Sequence, residues 1–168
     1  CPISTAMLYV DPIRSLMQAF KFQNQPHWAR LFANLIASFL YARQSLDKIT
    51  AFPDALIAVP MHPTRLRERG YNQAMLLAQQ LGSRLKLPLI TPCKKVKLTP
   101  TQRALTGRER RCNLHGCFVA DTSINQYHSI AIVDDVVTTG STIHAVAHAL
   151  RLQHPTIALQ AWCLARAC

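Results

Sequence analysis

The spacing of apolar residues along the chain predicts four amphipathic helices. Apolar positions recur three and four residues apart over residues 13–20, 28–40, 74–85 and 143–150. This period gives each helix one apolar stripe, and such stripes face a protein core. The first helix is expected to begin near Pro12, because proline is favoured at the first position of a helix.

Short apolar runs between the helices predict buried strands. Residues 55–59 and 130–133 are continuous apolar runs of the kind found in parallel strands that helices cover on both faces. Residues 89–96 predict a further strand and residues 157–165 a closing one. Because strands and helices alternate along the chain, we expect an α/β fold with a parallel sheet of about five strands flanked by helices.

Length and composition place the chain among single-domain proteins. A chain of 168 residues buries about 70% of the surface that it exposes when unfolded. We expect one globular unit, with a small helical N-terminal segment (residues 1–50) packed on a core domain (residues 51–168). The six cysteines form no Cys-x-x-Cys pair and are expected to be reduced thiols. The sequence shows no secretory leader and no membrane span, which predicts a soluble, cytoplasmic protein.

The charge of the chain predicts an anionic partner. Only 16% of the residues are charged, yet 19 Lys and Arg residues outnumber 8 Asp and Glu residues, for a formal net charge of +11. A polyphosphate substrate and a nucleic-acid backbone both fit this excess of positive charge, so it does not choose between them.

The run at residues 130–133 continues into residues suited to a sugar phosphate. Asp134 and Asp135 follow it, and carboxylates at the end of a strand can accept hydrogen bonds from vicinal sugar hydroxyls. A loop rich in hydroxyl groups comes next and opens onto a helix N-terminus, where backbone N–H groups favour a phosphate. The loop residues are Thr138, Thr139, Gly140, Ser141 and Thr142. An ordinary capped turn is the alternative interpretation.

This stretch resembles the ribose-phosphate fingerprint of type I phosphoribosyltransferases, which bind 5-phosphoribosyl-1-pyrophosphate (PRPP). The resemblance implies their fold and a transfer of the phosphoribosyl group from Mg-PRPP to an acceptor, with release of pyrophosphate. It implies that Asp134 and Asp135 orient the ribose and its magnesium shell, while the loop that follows holds the 5′-phosphate. Mg²⁺ would arrive mainly with the substrate, because it prefers phosphates and water to an all-protein cage.

A basic segment after the first core strand is the candidate pyrophosphate site. Loops that follow parallel strands meet at one edge of the sheet, so this segment is expected to face the two acids. Its candidate residues are Pro60, Met61, His62, Arg65 and Arg69. A solvated basic turn is the alternative. Residues 59–74, Val-Pro-Met-His-Pro-Thr-Arg-Leu-Arg-Glu-Arg-Gly-Tyr-Asn-Gln-Ala, resemble the ComF/GntX branch of the superfamily, whose members accompany bacterial DNA uptake or gluconate use.

A second basic stretch is the candidate lid. ComF-like proteins share its landmarks, which are Thr99, Gln102, Leu105, Glu109, Arg110, Asn113, Leu114, Gly116 and Phe118. In type I relatives the corresponding loop closes over PRPP, and a lid that excludes water would protect a reactive glycosyl transition state from hydrolysis. The candidate lid contacts are Lys95, Lys97, Arg103 and Arg110.

The acceptor cannot be identified from these residues, and a second class of function fits the same fold. A non-catalytic PRPP sensor or a single-stranded-DNA-binding competence module would also use the basic residues, although few aromatic residues accompany them for base stacking. Competence proteins are the expected protein partners, and a homodimer is a second candidate assembly. ComF relatives commonly carry a four-cysteine zinc module, which this sequence lacks.

Overall fold

The structure is a computed structural model that describes residues 1–23, 25–46, 51–98, 114 and 116–167. The helices are α1 (Ile13–Phe22), α2 (Trp28–Ser45), α3 (Pro63–Arg69), α4 (Gln73–Leu85) and α5 (Ser141–Gln153), with a short 3-10 helix at Thr122–Gln126. The strands are β1 (Ile3–Leu8), β2 (Ala55–Ala58), β3 (Leu89–Ile90), β4 (Cys93–Lys95), β5 (Phe118–Ala120), β6 (Ser129–Val137) and β7 (Ala158–Arg166). In this described part of the chain, we find no helix whose length and hydropathy would suit a membrane span.

Five strands form one parallel sheet in the order β1-β7-β6-β2-β3, which confirms the predicted α/β fold. The chain runs from β2 to β3 in one direction across the sheet and from β6 to β7 in the other. Because crossovers between parallel strands are right-handed, α4 and α5 lie on opposite faces. Helix α2 packs against α4 and against β1 and β7, so it covers the same face as α4.

Strand β6 lies in the middle of the sheet and is longer than predicted. Its first part, from Ile130 to Val133, is fully buried, as expected for a strand covered on both faces. The apolar run is only its first half, because β7 continues to pair with β6 as far as Val137. The two acids therefore lie inside the strand, which gives their backbone a fixed position.

The first strand of the sheet was not predicted. Strand β1 pairs in parallel with β7, from Ile3 opposite Ala161 to Leu8 opposite Arg166. No apolar run marks it in the sequence, since an edge strand is only half buried and β1 includes Ser4 and Thr5. Residues before α1 thus contribute to the core sheet.

The strand predicted over residues 89–96 is divided in two. Strand β3 belongs to the parallel sheet, whereas β4 leaves it and pairs antiparallel with β5. Pro92 lies between them and has no N–H to donate, so a continuous ladder is interrupted there. The antiparallel pair of β4 and β5 packs against α5.

The basic segment after β2 is a helix rather than a turn. Helix α3 begins at Pro63, and the His62 Nδ1 atom caps it by accepting a hydrogen bond from the Thr64 N–H at 3.2 Å. It ends at Gly70, whose φ of 86° is in the left-handed region that glycine adopts readily. Asn72 then caps α4 and donates from its Nδ2 atom to the Val59 oxygen at 3.0 Å, which fastens the start of α4 to the end of β2.

Asp54 joins the starts of the two strands that carry the candidate site. Its Oδ2 atom accepts hydrogen bonds from the N–H groups of His128 at 2.8 Å and Ser129 at 2.9 Å. These two bonds hold the pKa of Asp54 below its ordinary value, and the bond from Ser129 has the larger effect. A lowered pKa means that the ionised group stabilises the folded protein above about pH 4, and that this contribution is lost as the pH falls below that value.

We expect Asp54→Asn to lower the melting temperature at pH 7 by a few degrees and to have little effect at pH 3, where the wild-type carboxyl group is becoming protonated. Thermal unfolding followed by circular dichroism at both pH values checks this. Glu68→Gln, which removes an exposed ion pair with Arg65, is the control and should change little. An Asp54→Asn penalty that is equal at pH 3 and pH 7 would contradict the assignment.

Candidate functional site

A cavity of about 260 Å³ lies at the carboxyl edge of the parallel sheet. Its walls come from α1, the segment after β2, α3, the start of α4, β4, β6 and α5. The lining residues are Lys21, Val59, Pro60, Met61, His62, Arg65, Arg69, Asn72, Gln73, Ala74, Lys95, Leu98, Asp134, Asp135 and Thr142. The five residues predicted for pyrophosphate therefore line the same cavity as the two acids predicted for ribose.

A second, smaller cavity of about 30 Å³ lies beside the first. It is lined by Asp134 and by residues 136–143, which include all five predicted phosphate-loop residues. Asp134 and Thr142 line both cavities, so the two are neighbours that share a wall. The structure thus brings the three predicted groups of residues together at one edge of the sheet.

The phosphate-loop candidate is shaped by Gly140, which precedes α5. Its φ of 75° is in the left-handed region, and a Cβ atom there would lie 2.9 Å from Ile3 Cδ1 of the edge strand. Any larger residue would be strained by its backbone and would press on β1. Thr139 Oγ1 lies 2.6 Å from Ser141 Oγ, and the His144 ring lies 2.8 Å, through Nδ1, from the Gly140 oxygen.

Lys21 is a site residue that was not predicted. Its Nζ atom lies 2.9 Å from Asp135 Oδ2, and the two side chains are only 21% and 12% exposed. The sequence does hold a signal, since Lys21 follows Met17 by four residues and so falls next to the buried stripe of α1. A lysine at the edge of a core-facing stripe can extend its ammonium group into water or pair with a buried anion, and the sequence alone does not distinguish the two.

The charged groups of the cavity shift each other's pKa. Burial, and then the charge of Asp135, raise the pKa of Asp134 to about 7. Burial alone would lower the pKa of Lys21, but the carboxylates of Asp135 and Asp134 outweigh it and raise that pKa. Burial lowers the pKa of Lys95, and the positive charge of Arg65 acts in the same direction.

Comparison with known proteins identifies the family. No protein-family model matches the chain. Competence protein F of Haemophilus influenzae is 41% identical over 162 residues, which are 95% of this chain and 70% of that protein. The chain belongs to the ComF family. The DNA utilization protein YhgH of Escherichia coli is 34% identical over 94% of the chain and 69% of its own length, and competence protein ComFC of Bacillus subtilis is 30% identical over 84% and 55%.

In this ComF-family chain the cavity has more basic than acidic side chains. Lys21, Arg65, Arg69 and Lys95 line it, against two carboxylates. Arg69 is held in place by a 3.0 Å hydrogen bond to the Gln73 side chain, and its guanidinium lies 5.3 Å from the centre of the Phe22 ring. A fixed guanidinium in a basic cavity can bind phosphate oxygens with little loss of side-chain freedom.

Two of the four candidate lid contacts lie among the described residues of this ComF-family protein. Lys95 lines the main cavity, whereas Lys97 is exposed and is not among the lining residues. Arg103 and Arg110 lie outside the described residues. The lid assignment therefore stays a prediction.

The two acids could serve as protein ligands of a magnesium ion whose other ligands come from a substrate and from water. Among the residues that the structure describes, no three His, Cys, Asp or Glu side chains lie together as a metal cluster. Asp134 and Asp135 supply carboxylate oxygens beside a basic cavity, and Mg²⁺ is typically held by one or two carboxylates, phosphate oxygens and water. The cationic group of Lys21 is already bound at Asp135, so this position attracts positive charge.

We expect Asp134→Asn to be more stable than the wild type at pH 8, by about 1–2 kcal/mol, and similar to it at pH 4. The raised pKa of Asp134 means that folding favours its protonated form, so the wild type loses stability as the pH rises toward and through about 7. Asparagine cannot ionise, and its side-chain oxygen can still accept the hydrogen bond from the Asp135 N–H. Urea unfolding at both pH values measures the difference.

The matched control for this prediction is Asp135→Asn. This substitution removes the charge that compensates Lys21, so it should destabilise the protein at pH 8. If both variants were destabilised to the same degree at pH 8, the unfavourable ionisation of Asp134 would be ruled out.

Proposed function

We propose that this ComF-family protein binds Mg-PRPP and transfers its phosphoribosyl group to a nitrogenous acceptor, releasing pyrophosphate. The observation that carries the proposal is the shared wall between the two cavities. Asp134 and Thr142 line both, which puts a paired-carboxylate position between a basic cavity and a loop of amides and hydroxyls. A ribose that carries a phosphate at C5 and a pyrophosphate at C1 has its charged groups in the same order.

Each part of the site has a distinct task in this reaction. The acceptor nitrogen forms a bond to ribose C1 as the bond from C1 to the pyrophosphate oxygen breaks, and that oxygen leaves with the electron pair. The acceptor then loses its proton to solvent. Arg65 and Arg69 stabilise the negative charge that develops on the leaving group, while the amides before α5 hold the 5′-phosphate in place.

Magnesium, when bound, neutralises charge on the pyrophosphate. Asp134 and Asp135 would hold it through their oxygens or through its water shell, and they would accept hydrogen bonds from the ribose hydroxyls. Both carboxylates are fixed by β6, since Asp134 Oδ1 accepts from the Asp135 N–H at 2.9 Å and Asp135 Oδ1 from the Val136 N–H at 2.6 Å. This arrangement supports orientation of the sugar rather than nucleophilic attack by a side chain.

The biological role that we propose is in DNA uptake or DNA utilization. It rests on the names of the relatives, competence protein F and DNA utilization protein YhgH, together with the extent of the similarity. A cytoplasmic location fits this role.

A second candidate function is the binding of single-stranded DNA on the same fold. The formal net charge of +11, and exposed basic side chains such as Arg67 and Lys94 near the cavity, favour it. In that case affinity for single-stranded DNA would fall steeply as the salt concentration rises, because binding releases counterions from the phosphates.

Calorimetric titration with Mg-PRPP tests the first proposal. We expect the wild type to bind and the double variant Asp134→Asn/Asp135→Asn to bind about 100-fold more weakly, because hydrogen bonds to charged groups contribute about 1.5–3 kcal/mol each. Asp121→Asn, an acid outside the cavity, should bind like the wild type. Circular dichroism spectra and melting curves check that every variant is folded.

The outcomes separate the two functions. Binding that only the double variant loses would support the ribose site and justify a screen of acceptors for pyrophosphate release. Absence of Mg-PRPP binding by the folded wild type would overturn the proposal, and salt-dependent binding of single-stranded DNA would then favour the second candidate.

A further inference from the structure

The last turn of α1 is fastened to the site by three consecutive residues. The Phe20 carbonyl oxygen accepts a hydrogen bond from the Tyr71 hydroxyl, and the two rings lie 5.9 Å apart. Lys21 forms the ion pair with Asp135, and the Phe22 ring lies under the guanidinium of Arg69 at 5.3 Å. The backbone on either side of Lys21 is therefore held, while the lysine side chain itself reaches into the cavity.

Lys21 is placed where it meets both kinds of ligand group. It lines the cavity together with Arg65 and Arg69 on the predicted pyrophosphate side, and its ammonium group contacts Asp135 on the predicted ribose side. A lysine ammonium is a compact charge with three donors on a flexible stem, so it can change partner without any movement of the backbone.

We infer that Lys21 couples the binding of metal to the binding of polyphosphate, by occupying Asp135 in the free protein and turning to the phosphate groups when the metal–polyphosphate complex enters. The inference rests on the proposed function, since it concerns the same site. Two cations repel each other at one carboxylate, so Lys21 opposes a metal ion that arrives alone. A polyphosphate offers the displaced ammonium a new anionic partner, so the metal and the polyphosphate bind better together than either does separately.

This coupling predicts opposite effects of one substitution on two ligands. In Lys21→Met the carboxylate of Asp135 has no competing cation, so affinity for a divalent ion alone should rise. The same variant has lost a donor to phosphate, so affinity for the metal–polyphosphate complex should fall. A purely structural ion pair predicts a loss of stability without any gain in affinity for the metal alone.

The experiment compares the wild type with Lys21→Met and Lys21→Arg. Mn²⁺ serves as the probe for the metal alone, measured by electron paramagnetic resonance, since carboxylate sites that suit Mg²⁺ also accept Mn²⁺. Mg-pyrophosphate and Mg-PRPP are titrated by calorimetry. For Lys21→Met we expect Mn²⁺ to bind about 5-fold more tightly and both magnesium complexes about 10-fold more weakly, each an order-of-magnitude figure for the gain or loss of one charge contact. Lys21→Arg, which keeps the charge, should stay close to the wild type in both measurements.

The results decide the inference separately from the proposed function. Mn²⁺ affinity that is unchanged or lower in folded Lys21→Met would overturn the coupling, whatever the protein does with PRPP. If the wild type bound Mg-pyrophosphate but not Mg-PRPP, the proposed transfer would fail, whereas opposite shifts of the Mn²⁺ and Mg-pyrophosphate affinities would still support the coupling. Lys21→Gln, which keeps a hydrogen-bond donor for Asp135 without the charge, replaces Lys21→Met if the latter does not fold, with the same expected directions and the same overturning result.

Discussion

The parallel pairing of β6 with its two neighbours decides where the polar groups of the site lie. Ala58 of β2 is opposite Val133 of β6, and the Val59 N–H extends this ladder by donating to the Val133 oxygen at 2.9 Å. The segment that begins at Pro60 therefore leaves the sheet at the level of Asp134. A shift in this register would move the acids along the sheet relative to the segment that begins at Pro60, so the two groups would no longer meet at one cavity.

The site concentrates unfavourable charge in a small space. Two adjacent carboxylates lie at the carboxyl ends of the strands, and Lys21 compensates part of their charge through its ion pair with Asp135. Proteins commonly sacrifice stability in this way where a ligand will later supply the missing charge. In the proposed function, the basic side chains across the cavity would bind the anionic groups of Mg-PRPP, and its metal ion would supply further positive charge at the acids.

The parts of the site that could be predicted from the sequence are those encoded by consecutive residues. The acids, the loop and α5 follow one another directly, and the segment from Pro60 to Arg69 follows a buried strand, so elementary rules of parallel sheets bring them to one edge. Lys21 could not be assigned a partner, because it meets Asp135 only through the packing of α1 against the sheet. The edge strand β1 was not predicted for a different reason, since its residues are nearly all partly buried and show no alternation of apolar and polar positions.

The close packing of Ile3 against Gly140 restricts the movement of the phosphate-loop candidate toward β1. Ile3 belongs to the edge strand and lines neither the main cavity nor the small one, yet its side chain fills the space directly behind the glycine. In the proposed function, the 5′-phosphate would meet amides that this side chain keeps from moving back, so little of its binding energy would be spent on reshaping the loop. Affinity that rests on such preorganisation is set by a residue that never touches the ligand.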